Sequence, residues 1–109
     1  MSTLEFDELF ETLKDGVSSI AKETIGKYAE QATAEGQKAL KTLKGDLKSW
    51  TEDAKNGDLS AADLDFLLKG REELTEMHAL EQLGIAKIQL DKFKNGIIGL
   101  IVNSVTGLL

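Results

Sequence analysis

Apolar residues recur three and four positions apart along most of this chain, the spacing of one face of an α-helix. One stripe runs through Phe6, Leu9, Phe10, Leu13 and Val17, and continues by way of Ile25, Tyr28 and Ala32 to Leu40, Leu43, Leu47 and Trp50. A second, wider stripe holds Leu64, Phe66, Leu67, Leu68, Leu74, Met77, Leu80, Leu83, Ile85, Ile88, Leu90 and Phe93. Between them lies Lys55-Asn56-Gly57-Asp58-Leu59-Ser60, followed by Asp63 and Leu64. Asn56 and Gly57 tolerate the left-handed conformation that ends a helix. Ser60 and Asp63 form a capping box for the next helix, with Leu59 and Leu64 as its hydrophobic staple. The pattern predicts an all-α chain, read as one helical domain over residues 1–109. Arm 1 covers about 3–55, the turn 56–59, and arm 2 about 60–106.

The simplest fold with that pattern is an antiparallel hairpin of two long helices, each about 70–75 Å at 1.5 Å per residue. Folded at the turn, facing positions sum to about 115. Phe10 then meets Val105, Leu13 meets Val102, and Gly16 lies near Gly99. Small partners also fall together at Ala32 and Gly84, and at Gly45 and Gly70. Arm 1 thins to Ala29, Ala32, Ala34 and Gly36, which reads as close approach of a partner helix rather than a break. The alternative is a monomeric bundle of four shorter helices, with breaks near Gly16, Gly36 or Gly45.

The end of the chain makes the larger demand. Residues 95–109 carry no ionisable side chain, and Ile97, Ile98, Ile101, Val102, Val105, Leu108 and Leu109 crowd into them. Burying each such side chain is worth about 1.5–3 kcal/mol, so this tail needs a covering surface. A second copy that closes two hairpins into a four-helix bundle supplies one. The expected interface is Leu67, Leu74, Met77, Phe93, Ile97, Ile101, Val105 and Leu108, and the expected assembly is a homodimer.

Composition narrows the chemistry. Proline and cysteine are both absent, so long helices are allowed while disulfides and thiolate sites are excluded. A net charge of −6 disfavours nucleic acid. Lys38, Lys41, Lys44 and Lys48 share one helix face and read as a solvated stripe, with phosphate binding the sharper alternative. The acidic start does not resemble a secretory signal, so the default location is cytoplasmic, with signal-less export the other route.

Candidate sites are few. His78 is the single histidine and has no partners at metal-ligand spacing. Residues 52–63 align with a calcium loop, but Ala54 offers no oxygen where a ligand is needed, and capping explains the same residues. Carboxylate pairs such as Asp7/Glu11 and Glu72/Glu76 lack a catalytic partner, and no glycine-rich phosphate loop occurs. Trp50-Thr51-Glu52 lacks the glycine of WxG-type hairpins, so no family is claimed. The expected function is non-enzymatic, without cofactor or metal: a structural or protein-interaction module that self-associates through amphipathic helices. The alternative is a membrane- or lipid-surface protein that inserts residues 96–109.

Overall fold

The computed structural model describes residues 2–109 and is helical without a strand among them. The first helix, α1 (Thr3–Thr24), is capped by Ser2, whose hydroxyl accepts the Glu5 N–H at 3.1 Å. Glu5 does not close a capping box in return. The Glu5 carboxylate pairs instead with Lys55 at 3.1 Å.

Arm 1 is not one helix. It turns back at Gly26, which adopts φ +64° and opens a short 3-10 segment, Gly26–Tyr28. Then α2 (Ala29–Thr42) runs antiparallel to α1, with the Gln37 side-chain amide donating to the Lys14 carbonyl at 3.3 Å. A bend at Leu43, two residues before Gly45, separates α2 from α3 (Lys44–Lys55). Of the three breaks that the alternative of four shorter helices allowed, the one near Gly45 occurs, while Gly16 and Gly36 lie inside helices.

The central turn has the chemistry its residues imply. Gly57 adopts φ +82°, the Asp58 N–H reaches the Asp53 carbonyl at 2.8 Å, and the Gly57 N–H reaches the Ala54 carbonyl at 3.1 Å. Those two bonds make a Schellman motif. Ser60 and Asp63 complete a reciprocal capping box at the start of α4 (Ala61–Lys69). Leu59 and Leu64 both pack on the core.

Arm 2 also breaks. After α4 come two single turns, α5 (Glu72–Thr75) and α6 (His78–Glu81), separated by extended backbone at Glu76. Gly84, at φ +77°, leads into α7 (Lys87–Thr106). The result measures 42 × 24 × 20 Å, too short for 70–75 Å arms, so the two-long-helix hairpin is corrected to a folded-back bundle. Both α1 and the α4–α6 segment pack against α2 and α7.

One long-range expectation appears in altered form. The first and last helices do run antiparallel, with Leu100 against Gly16 and Ile20 against Gly96; both pairs sum to 116. The small-to-small matches do not form. Gly16 receives a leucine, while Gly45, Gly84 and Gly99 have no heavy atom near a would-be Cβ. Close approach does occur at the thin part of arm 1. Ala32 and Gly36 are buried, and Gly36 faces Val17, Phe93 and Ile97.

The apolar tail is covered by the chain itself as far as Val105, with Leu108 and Leu109 left exposed. Ile97, Ile98, Ile101 and Val105 are buried in the same core as Phe6, Leu13, Val17 and Leu40. The reason for expecting a second copy, an uncovered tail, is therefore removed. Folding back at Gly26 brings α2 and α1 to the surface that a partner was expected to supply.

Candidate functional site

Most of the expected interface lies inside the molecule. Leu74, Met77, Phe93, Ile97, Ile101 and Val105 are buried and form part of the core. That is a correction: an amphipathic stripe reads the same whether its partner is another chain or another segment. Only Leu67, half-buried, and Leu108, exposed, remain at the surface.

Other apolar side chains are left outside. Phe66 is 78% exposed and Ile88 66% exposed, on α4 and α7, two helices that pack together. The two faces of α4 explain Phe66. Leu64 and Leu68 point into the core, and Phe66 lies about 200° away around the helix. A helix that is apolar on both faces is built for two neighbours, and the fold supplies one. Leu4, Leu108 and Leu109 are also exposed. The sequence signal for Phe66 was its place in an unbroken Phe66-Leu67-Leu68 run, which no single helix face can absorb.

The lysine stripe acquires a setting that its spacing alone did not reveal. A groove of about 430 Å³ between α1 and α2 is lined by Phe10, Lys14, Ala34, Gln37, Lys38 and Lys41. The Lys44 ammonium sits 4.9 Å from the centre of the Phe10 ring. Lys14 is paired with Glu11 at 3.4 Å. Among the described residues, Lys38, Lys41 and Lys44 have no carboxylate within 4.0 Å.

Beyond Lys38, which borders both hollows, the lining turns acidic. A smaller cleft of about 170 Å³ is lined by Glu35, Lys38, Thr42, Glu73 and Glu76, with Ala39 and Met77 below. Glu73 Oε2 is buried without a hydrogen-bond partner, and its Oε1 lies 3.7 Å from Arg71. Arg71 also bridges to Asp46 at 2.9 Å and lies over the Trp50 ring at 5.9 Å, which ties α3 to the start of α5. Trp50 is thus a half-buried packing residue beside the turn.

His78 is 71% exposed, with Glu81 3.1 Å from Nδ1 and Glu76 3.7 Å from Nε2. No group of three or more His, Cys, Asp or Glu residues among those described is placed to hold a metal ion. The Asp63 carboxylate, the last residue of the calcium alignment, is occupied in the Ser60 cap. Its carboxyl is held below the ordinary aspartate value, first by the Ser60 N–H and then by the Ser60 hydroxyl. Glu5 is likewise lowered by its hydrogen bond to, and the charge of, Lys55.

No helix among the described residues is long and apolar enough to cross a membrane. Comparisons of the chain with protein-family models, curated proteins and solved structures find no match.

Proposed function

We propose that this protein is a non-enzymatic interaction module that works by helix-against-helix contact. The observation that supports this reading is Phe66, a large aromatic side chain held in water on a helix whose opposite face already serves the core. Leu67 beside it is half-buried, and Ile88 adds a second exposed apolar group on the adjoining helix. Aromatic side chains of this kind anchor association because each brings a large apolar area at low entropic cost.

The first partner to test is a second copy, with α4 rather than the tail as the contact. Burial of one phenylalanine contributes about 1.5–3 kcal/mol. Phe66→Ser therefore weakens a self-associated form by at least about tenfold. Sedimentation velocity across a concentration series reads this directly. A wild-type chain that stays monomeric at the highest soluble concentration overturns self-association. A dimer that Phe66→Ser and Ile88→Ser leave intact overturns the choice of surface.

The lipid-surface alternative has less support. Ile97, Ile98, Ile101 and Val105 would have to leave the core before residues 96–109 could enter a bilayer. That exposes the rest of the core at the same time.

A further inference from the structure

The groove between α1 and α2 points to a partner of defined chemistry. The protein carries a net charge of −6, yet this one trough is rimmed by Lys14, Lys38 and Lys41, with Lys44 at its end. Like charges three residues apart on a helix repel one another. Among the described residues no carboxylate within 4.0 Å neutralises Lys38, Lys41 or Lys44. The apolar part of its lining is the exposed Ala34, the small accessible part of the otherwise buried Phe10, and the aliphatic stems of the lysines themselves. Ala34, Lys38 and Lys41 in its lining are exposed, so the trough opens to solvent. An enclosed pocket suits a small ligand, whereas an open trough between two helices suits a third helix laid along it.

We propose that this groove docks an acidic amphipathic helix of a partner protein. The register fits. Lys38 and Lys41 lie one turn apart on α2 at a rise of about 4.5 Å, with Lys44 just past the bend at Leu43, and carboxylates three or four residues apart on an incoming helix rise by about 4.5–6 Å. The incoming apolar side chains meet Phe10 and Ala34 while its carboxylates meet the lysines. A nucleic acid fits less well. Its phosphates come at about one charge per 1.7 Å of duplex and cannot avoid the exposed Glu11 and Asp15 of α1. A helix with one acidic face can avoid them. The inference shares with the preceding section only the reading of the chain as an interaction module, and it uses a different surface from Phe66.

The test is fluorescence anisotropy with a labelled synthetic peptide of about 18 residues, leucine and alanine on one face and glutamate at i, i+4 on the other. The wild-type protein is expected to bind it saturably, and more weakly as salt rises from about 0.05 to 0.5 M. The double variant Lys38→Glu/Lys41→Glu should lose at least about tenfold in affinity with an unchanged circular dichroism spectrum, since both side chains are exposed. The same variant should bind a matched peptide carrying lysine in place of glutamate. Phe66→Ser should bind the acidic peptide like the wild type, so loss of self-association and loss of docking are read apart. Absence of saturable binding up to about 1 mM overturns the proposal. So does equal affinity of the double variant, or equal affinity of the wild type for a DNA oligonucleotide. If sedimentation shows that the double variant loses self-association, the groove's occupant is a second copy and the proposal also falls.

Discussion

Adding one methyl group at Gly36 tests the packing directly. Gly36 is buried in α2 where that helix crosses α1 and α7. A Cβ built there lies 2.5 Å from Val17 Cγ1, 3.2 Å from Phe93 Cζ and 3.3 Å from Ile97 Cδ1. Ordinary carbon contacts fall at about 3.5–4.0 Å, so the valine is overlapped by about 1 Å or more. Val17, Phe93 and Ile97 are all fully buried. Val17 is β-branched and holds one rotamer on a helix, so it cannot swing aside. Relief requires α1 and α2 to separate, which loosens contacts along the whole crossing. Overpacking of this kind costs about 1–3 kcal/mol, and the upper end applies with three immobile neighbours. Against it, alanine gains about 1 kcal/mol over glycine in a helix interior. The expected net for Gly36→Ala is a loss of about 1–2 kcal/mol, read from the urea midpoint by circular dichroism at unchanged slope. Gly99→Ala is the control. It lies inside α7 with no heavy atom within 4 Å of the new Cβ, so it should gain up to about 1 kcal/mol. Adding Val17→Ala to Gly36→Ala should give a smaller total loss than the two single losses combined, because the clashing methyl is gone. A Gly36→Ala protein as stable as the wild type would refute the helix crossing described here.

Three further outcomes follow from the same structure. Ile101→Asp should abolish cooperative unfolding rather than release a folded monomer, since it leaves an unpaired charge in the core and costs more than about 3 kcal/mol; a folded, helical variant contradicts this. Gly26→Ala should cost about 1–2 kcal/mol purely through its left-handed backbone, because nothing lies within 4 Å of the added methyl; thermal unfolding reads the shift. Glu5 and Asp63 are both held below their ordinary values in the folded state, so the unfolded chain takes up protons first as pH falls. Their contribution is complete above the ordinary carboxylate range of about pH 4, and it is lost as pH falls through the lower folded values. Ser60→Ala should lower stability at pH 7 by about 0.5–2 kcal/mol and flatten this acid slope; an unchanged slope in urea titrations argues against the cap.

The local chemistry of Asn56 to Asp63 was legible in the sequence because a Schellman stop and a capping box need only neighbours within six residues. The helical class was legible from spacing, and so was the demand that the apolar tail over 95–109 be covered, which the fold meets as far as Val105. The groove at Phe10 was not legible. Its lysines share a face of the α2–α3 run, but its floor comes from α1, about 30 positions earlier in the chain. The breaks at Gly26 and Gly84 were hidden for another reason. The apolar stripe runs across each without losing register, and one glycine inside a helix costs only about 1 kcal/mol. By local energetics Gly16, Gly36 and Gly96 were as suitable for turns as Gly26 and Gly84. Long-range packing separated them. The first three admit Leu100, Val17 and Ile20 at helix crossings, whereas Gly26 and Gly84 take positive φ at the chain reversals. The sequence thus required that the apolar end be sheltered. Only the tertiary structure decided that the chain shelters it itself, because a reversal at Gly26 sacrifices little local helix energy and buries an apolar stripe that a straight rod would leave wet.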